Sequence, residues 1–454
     1  SAAIDLMADG AIDLGRSAFD NLRVDARLAR PQALLKTLSG RDVIASVRLD
    51  GAFATPAFEY LLKASTLTFD KTAIHDVRAA GKGRVAAAGV ALIPVQLSAA
   101  RLVGQGDLVE GLARNFRLDG VLQIRDGKII SNPMPFRTDR SRGELVMIAD
   151  LGTGQYDLGL TGRIDNLTVP GLGIVDLQTK MRAAPAADGA FGLSGEAVAR
   201  MRRLDIGFLQ TLAGGLPTLH TALALRPNGE LAFTNMRVSG PAIALSANGV
   251  RRADGTFHFE GGGKHSQYGP LKLTLDGRID RPKVDLLLDR PMDAAGLRAV
   301  RLLLEPDATG YAMQASGQSM LGAFDGSGAI LLPDGGQTII RIGRLSVADV
   351  LLSGDIIPVT GGMAGHLAVT GAVTGGIDLK PQGDVQSVVL ALKANDASFD
   401  GPTLIEVRRG QLDATLLLDP AGTTINATAQ ARGLRVGGMR LGRFALNADL
   451  RDGA

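Results

Sequence analysis

The stretch "GGGKHSQYG", Gly261 to Gly269, sets Lys264, His265 and Tyr268 among glycines, a combination that elsewhere cradles phosphate with backbone N–H groups and a cation. The spacing does not fit that chemistry. A phosphate loop needs G-x-x-x-x-G-K-[ST] between a strand and a helix, whereas both flanks here read as strands, so a mobile hairpin loop is expected. His258 and Glu260 lie two apart, on one face of a strand, as half of a metal site would. The other histidines, His75, His220, His265 and His366, provide no H-E-x-x-H pair and no evident third ligand. No G-x-S-x-G elbow or dinucleotide fingerprint occurs, and most carboxylates sit beside Gly or Pro in turns, where they bond their own backbone. The expectation is a protein that is not an enzyme, with no catalytic residue, no metal and no cofactor.

What must be positioned is therefore a surface rather than a reactive group. The 454 residues are 45% hydrophobic yet only 4% aromatic, with no Trp, 14 Phe and 59 Gly, against a usual glycine share of about 7%. Compact cores lean on aromatic side chains that bury about 150–250 Å² each, and this chain relies on Leu, Val, Ile and Ala instead. A thin, extended body follows from that composition. The net charge of +3 comes from scattered basic residues, in pairs such as Arg202-Arg203 and Arg408-Arg409. Nucleic-acid binders need a basic stripe interleaved with aromatics, so no nucleic-acid partner is expected. The absence of cysteine is compatible with an oxidising compartment.

Period-two alternation runs along the chain. In "LKLTLDGRI", Leu271, Leu273, Leu275 and Ile279 alternate with Lys272, Thr274, Asp276 and Arg278, and Val284, Leu286 and Leu288 continue the pattern on a partner strand. The phrase recurs from Leu49 ("LDGAFATPAFEYLL"), Leu158 ("LGLTGRIDNLTV"), Leu245 ("LSANGVRR") and Leu367 ("LAVTGAVTGGID"). Asp-Gly or Asn-Gly turn signals stand at Asp9, Asp126, Asp188, Asn228, Asp254, Asp334, Asp400 and Asp452. Short helical inserts are expected near 31–39, 105–115 and 205–214, the last ended by Gly214-Gly215. Nothing approaches the roughly 18 consecutive apolar residues of a membrane span. The expected fold is all-β: residues 1–454 form one continuous, elongated, curled antiparallel sheet of hairpin repeats, a segment of a longer protein.

The phrases "LDGRIDRPKVDLLLDRP", "LRAVRLLLEPDATGYAMQASGQS" and "FRLDGVLQIRDGKI" resemble the TamB family of AsmA-like envelope proteins in Gram-negative bacteria. The membrane anchor that opens members of that family and the domain that closes them are not recognisable here. The resemblance implies a middle segment of a periplasmic protein whose full length is anchored in the inner membrane and reaches towards the outer one. It also implies phospholipid as cargo and an outer-membrane, BamA-like assembly protein as partner.

Physical argument leads to the same class. A long sheet must cover its dry face, helices are too few to do so, and small Ala and Gly leave little bulk to fill a sandwich. Curling around lipid acyl chains supplies the missing filling. The expected lining is Leu49, Phe53, Leu158, Leu160, Ile164, Leu273, Leu275, Ile279, Val284, Leu286, Leu288, Leu367, Val369 and Val373. The same alternation also fits an ordinary sandwich core, and two other functions stay open. One is a scaffold or chaperone for outer-membrane proteins that pairs strand edges; the other is a repetitive β-helix enzyme or adhesin, against which four Tyr and no Trp weigh.

Overall fold

A computed structural model describes residues 4–31, 38–69, 72–86, 90–103, 113–169, 171–185, 191–205, 210, 212–226, 228–291, 296–333, 336–359, 362–383, 385–419 and 422–451. Among the described residues the chain forms 32 β-strands. Contacts divide it into two units, Ser1–Gln210 with Leu216–Val238, and Thr211–Gly215 with Ser239–Ala454. The second unit is a plain meander. Its fifteen strands, from Ile243–Arg251 to Met439–Arg451, each pair antiparallel with their chain neighbour.

Alternation and turn chemistry account for these hairpins. The quoted phrase forms the strands Gly269–Gly277 and Pro282–Leu288, with Leu271 opposite Leu288, Leu273 opposite Leu286 and Leu275 opposite Val284. Asp126-Gly127 closes a two-residue turn between Arg125 and Lys128 with φ of 52° and 73°, the left-handed pair that matches strand twist. Asp9-Gly10 behaves differently: the strand Ile4–Asp13 runs through it, and the register slips between Asp9 and Ala11, so it is a bulge rather than a turn. The glycine-rich stretch also departs from expectation. Gly261 to His265 belong to the strand Phe257–His265, and only 266–268 form the turn, with the His265 ring stacked on Tyr268 at 4.5 Å.

The helical expectations meet the structure in part. Residues 32–37 lie outside the described residues, and Leu38–Arg41 is a strand paired with Thr66–Phe69, which ends any helix before residue 38. Residues 105–112 lie outside as well, and 113–115 are a bend and turn before the strand Phe116–Arg125. In the third stretch, 206–209 and 211 lie outside; Gln210, Leu212 and Ala213 are helical, and Gly214 and Gly215 stop them with φ of 67° and 144°.

Glycine and aromatic residues turn out to be coupled. Phe58 stands opposite Gly83, Tyr60 opposite Gly81 and Phe259 opposite Gly249. A methyl group added at Gly83 would lie 2.6 Å from Phe58 Cζ, and one at Gly249 would lie 2.2 Å from Phe259 Cδ1. Each ring thus lies flat over the strand where its partner has no side chain, an arrangement that restores the burial a strand glycine lacks.

Long strands bend at single left-handed residues. In Tyr156–Val169 the register slips between Ile164 and Leu167, where Asn166 has φ of 54°. The slip moves the inward side chains from even to odd numbers, so Ile164 and Leu167 are both buried, in one cluster with Val175. Asp176 holds the bulge: its carboxylate accepts the Asn166 N–H at 3.0 Å and Arg202 Nε at 2.7 Å. The Asn166 N–H, then the Arg202 hydrogen bond, keep its pKa below the ordinary 3.8. A lowered folded-state pKa means that the stabilisation is complete above the ordinary value and is lost as pH falls through the folded one. Asp176→Ala is therefore expected to lower the urea midpoint at pH 7, with the gap to wild type closing below about pH 4 in pH-stepped denaturation.

Candidate functional site

The inward side chains of the second unit align across the sheet as well as along each strand. One row passes through Ala247, Gly261, Leu273, Leu286, Leu302, Ala315, Gly326, Leu345, Leu352, Val369, Gly375, Leu392, Leu412, Ala429 and Leu446, each the registered partner of the next. A neighbouring row runs through Gly249, Phe259, Leu275, Val284, Leu304, Met313, Gly328, Ile342, Gly354, Leu367, Ile377, Leu390, Ala414, Ala427 and Ala448 by the same pairings. Each of the fifteen strands contributes to both rows, and no member carries a polar side chain. The positions between them, such as Asp355 and Lys393, lie on the opposite face and are exposed.

Cross-strand ion pairs lace that wet face. Arg341 Nη2 meets Asp355 Oδ2 at 2.9 Å, and Arg301 Nη2 meets Asp285 Oδ2 at 2.6 Å. Hydrogen bonds from these guanidinium groups hold the Asp355 and Asp285 carboxyls below their usual range. Such exposed pairs contribute little to stability. They do keep one face of the sheet in water, which fixes the other as the dry one.

Two sections of the apolar rows are filled differently. Leu271, Val284, Leu286 and Leu304 form a buried cluster with Ile243 and Ala213, and Leu212, Leu273, Leu275 and Leu288 pack on it. Here the helical turn supplies the covering, through Leu212 and Ala213, with Ala213 O accepting the Ala242 N–H at 3.0 Å. Met313 touches this cluster and also borders the next section, an open cavity of about 930 Å³. Residues from ten consecutive strands, Gly310–Ser319 to Met439–Arg451, line that cavity, so the sheet curls around it. Leu345, Leu352, Val369, Leu392 and Leu412 form its floor, and Phe399, Val407 and Phe444 stand among its walls. Its breadth comes from small side chains: Ala394, Gly410, Ala429 and Ala431 stand where the filled section carries leucines.

The residues expected to line a trough are distributed over several environments. Val369 and Val373 border the open cavity, and both are buried. Leu367 is buried in the second row. Leu273, Leu275, Val284, Leu286 and Leu288 are gathered in the filled section, and Ile279 lies in the turn beyond the strand. In the first unit Leu160 borders a separate cavity of about 660 Å³, Ile164 is buried, and Leu49 and Leu158 are half-buried. Phe53 is in a turn, 37% exposed, with its ring 4.7 Å from that of Phe19. Leu345, Leu352, Leu392, Leu412 and the small residues of the cavity were not singled out by the sequence; they lie outside the repeated phrases, and alanine gives a weak hydropathy signal.

His258 and Glu260 do not form a ligand set. His258 Nδ1 lies 3.0 Å from Asp276 Oδ1, which also accepts Arg252 Nη2 at 2.6 Å. Among the described residues no group of three or more His, Asp or Glu side chains is placed to hold a metal ion. Comparison with family models, with curated proteins and with solved structures returns no match.

Proposed function

We propose that this protein is a lipid-transfer segment that carries phospholipid acyl chains along an apolar β-groove between the inner and outer membranes of a Gram-negative envelope. The observation that carries the reading is the pair of unbroken apolar rows that open into a cavity lined by carbon. An open aliphatic surface of this kind is unstable in water unless something apolar covers it. Acyl chains suit it well. Holding a sixteen-carbon chain out of water is worth roughly 12 kcal/mol at about 0.8 kcal/mol per methylene, and a uniform lining gives no single position at which the chain is trapped. The resemblance to the TamB family supports the periplasmic setting, an inner-membrane anchor on the full-length protein and an outer-membrane, BamA-like partner. No covalent step is needed, so the protein acts as a conduit and not as an enzyme.

Photocrosslinking at single positions tests the reading. With benzoylphenylalanine placed in turn at Leu392, Lys393, Gln411 and Leu412, crosslinks to radiolabelled phospholipid are expected at 392 and 412 and to be near background at 393 and 411. Equal yields at all four positions would refute a groove on this face.

A further inference from the structure

We infer that the open section selects its cargo by acyl chains without reading the head group, and that it is sized for the two chains of one diacyl lipid. This rests on the proposed lipid-carrying role and narrows it.

The chemistry of the lining points to this selectivity. Among the described residues that border the cavity, Arg344 is the only charged one. Ser327 is paired with Arg344, while Gly326 and Gly328 are paired with Leu345 and Ile342, so Gly343 is an inserted residue. That bulge puts Arg344 at the level of Ser327, off both apolar rows, and its side chain is exposed. The polar residues at the border are engaged or placed outside the rows. Gln411 Nε2 donates to Asp413 Oδ2 at 2.7 Å, Ser319 Oγ donates to Gly322 O at 2.9 Å, and Gln430 alternates with Ala429 and Ala431. Recognition of a phosphate requires convergent charged donors, and the rows offer none. A bound lipid must then leave its head in water, where head groups differ little in cost.

Size supplies the second half of the inference. Taking a methylene as the volume share of one water, about 30 Å³, two sixteen-carbon chains need about 960 Å³, against a cavity of about 930 Å³. The small side chains of Ala394, Gly410, Ala429 and Ala431 make that width.

The test is loading from mixed vesicles that contain equal amounts of phosphatidylglycerol, phosphatidylethanolamine and diacylglycerol, all with sixteen-carbon chains, followed by native mass spectrometry of the re-isolated protein. The three lipids should be retained within about twofold of one another, at one per protein, and eight-carbon analogues should be retained at least about 100-fold less. Arg344→Glu should leave the ratios unchanged. The double variant Ala429→Leu/Ala431→Leu should lose the diacyl lipids while keeping a single-chain lysolipid. Enrichment of one head group by tenfold or more, a changed ratio in Arg344→Glu, or equal retention of short and long chains would overturn the inference while leaving the conduit standing. Failure to retain any lipid would remove both.

Discussion

Leu304→Asp is expected to unfold the second unit under conditions in which the wild type is stable. Leu304 is 2% exposed and sits between Val284 and Met313 on the adjacent strands. Truncation to Ala alone should cost about 2–5 kcal/mol through lost transfer energy and the cavity left behind. Asp adds a carboxylate with no cation near it in the cluster, which raises the loss above about 4 kcal/mol, a large part of the 5–15 kcal/mol typical of a folded domain. Urea denaturation followed by circular dichroism reads the effect directly. A midpoint within experimental error of wild type would mean that Leu212 and Ala213 do not seal this section.

The open section should respond in the opposite way. In Ala394→Phe/Ala429→Phe both rings project into the cavity, where they meet empty space instead of packed neighbours. Stability is expected to stay within about 1 kcal/mol of wild type or to rise, because filling a void restores contacts. Binding of a fluorescent long-chain fatty acid should fall at least about tenfold, since the rings displace several methylenes of the ligand at about 0.8 kcal/mol each. The pair of experiments separates the two halves of the rows: stability depends on one, ligand capacity on the other. A double variant that is strongly destabilised would show that the cavity is tighter than its lining implies.

How far the sequence could be read depended on the range of the feature. Alternation is a two-residue signal, so the hairpin from Leu273 to Leu287 was legible down to the pairing of Leu275 with Val284. Turn chemistry was legible at Asp126 but misleading at Asp9, because Asp-Gly suits a bulge with glycine at positive φ as well as a turn. The "GGGKHSQYG" stretch read as a mobile loop because glycine clusters usually mark loops. Gly261 is instead a member of an apolar row, opposite Leu273.

The site itself was harder to see. Whether Leu273 and Leu446 share a row depends on the register of fourteen successive hairpins, and one bulge, such as that at Gly343, shifts the parity of everything on its strand. The switch leaves a local trace, visible in hindsight in "GRIDNLTV": two polar residues, Asp165 and Asn166, stand between Ile164 and Leu167 where strict alternation allows one. Filling is not legible at all. Leu286 and Val369 look alike in sequence, yet Leu286 is sealed in a cluster with Ala213, while Val369 faces open space. That distinction arises from Leu212 and Ala213, about 75 and 155 residues away along the chain, and from the alanines that widen the cavity.

Native mass spectrometry of the protein purified gently from a Gram-negative host tests the central claim most directly. The account predicts a mass increment equal to one phospholipid on the wild type, absent from Ala394→Phe/Ala429→Phe. A bare polypeptide mass, or an increment equal to a peptide, would contradict it.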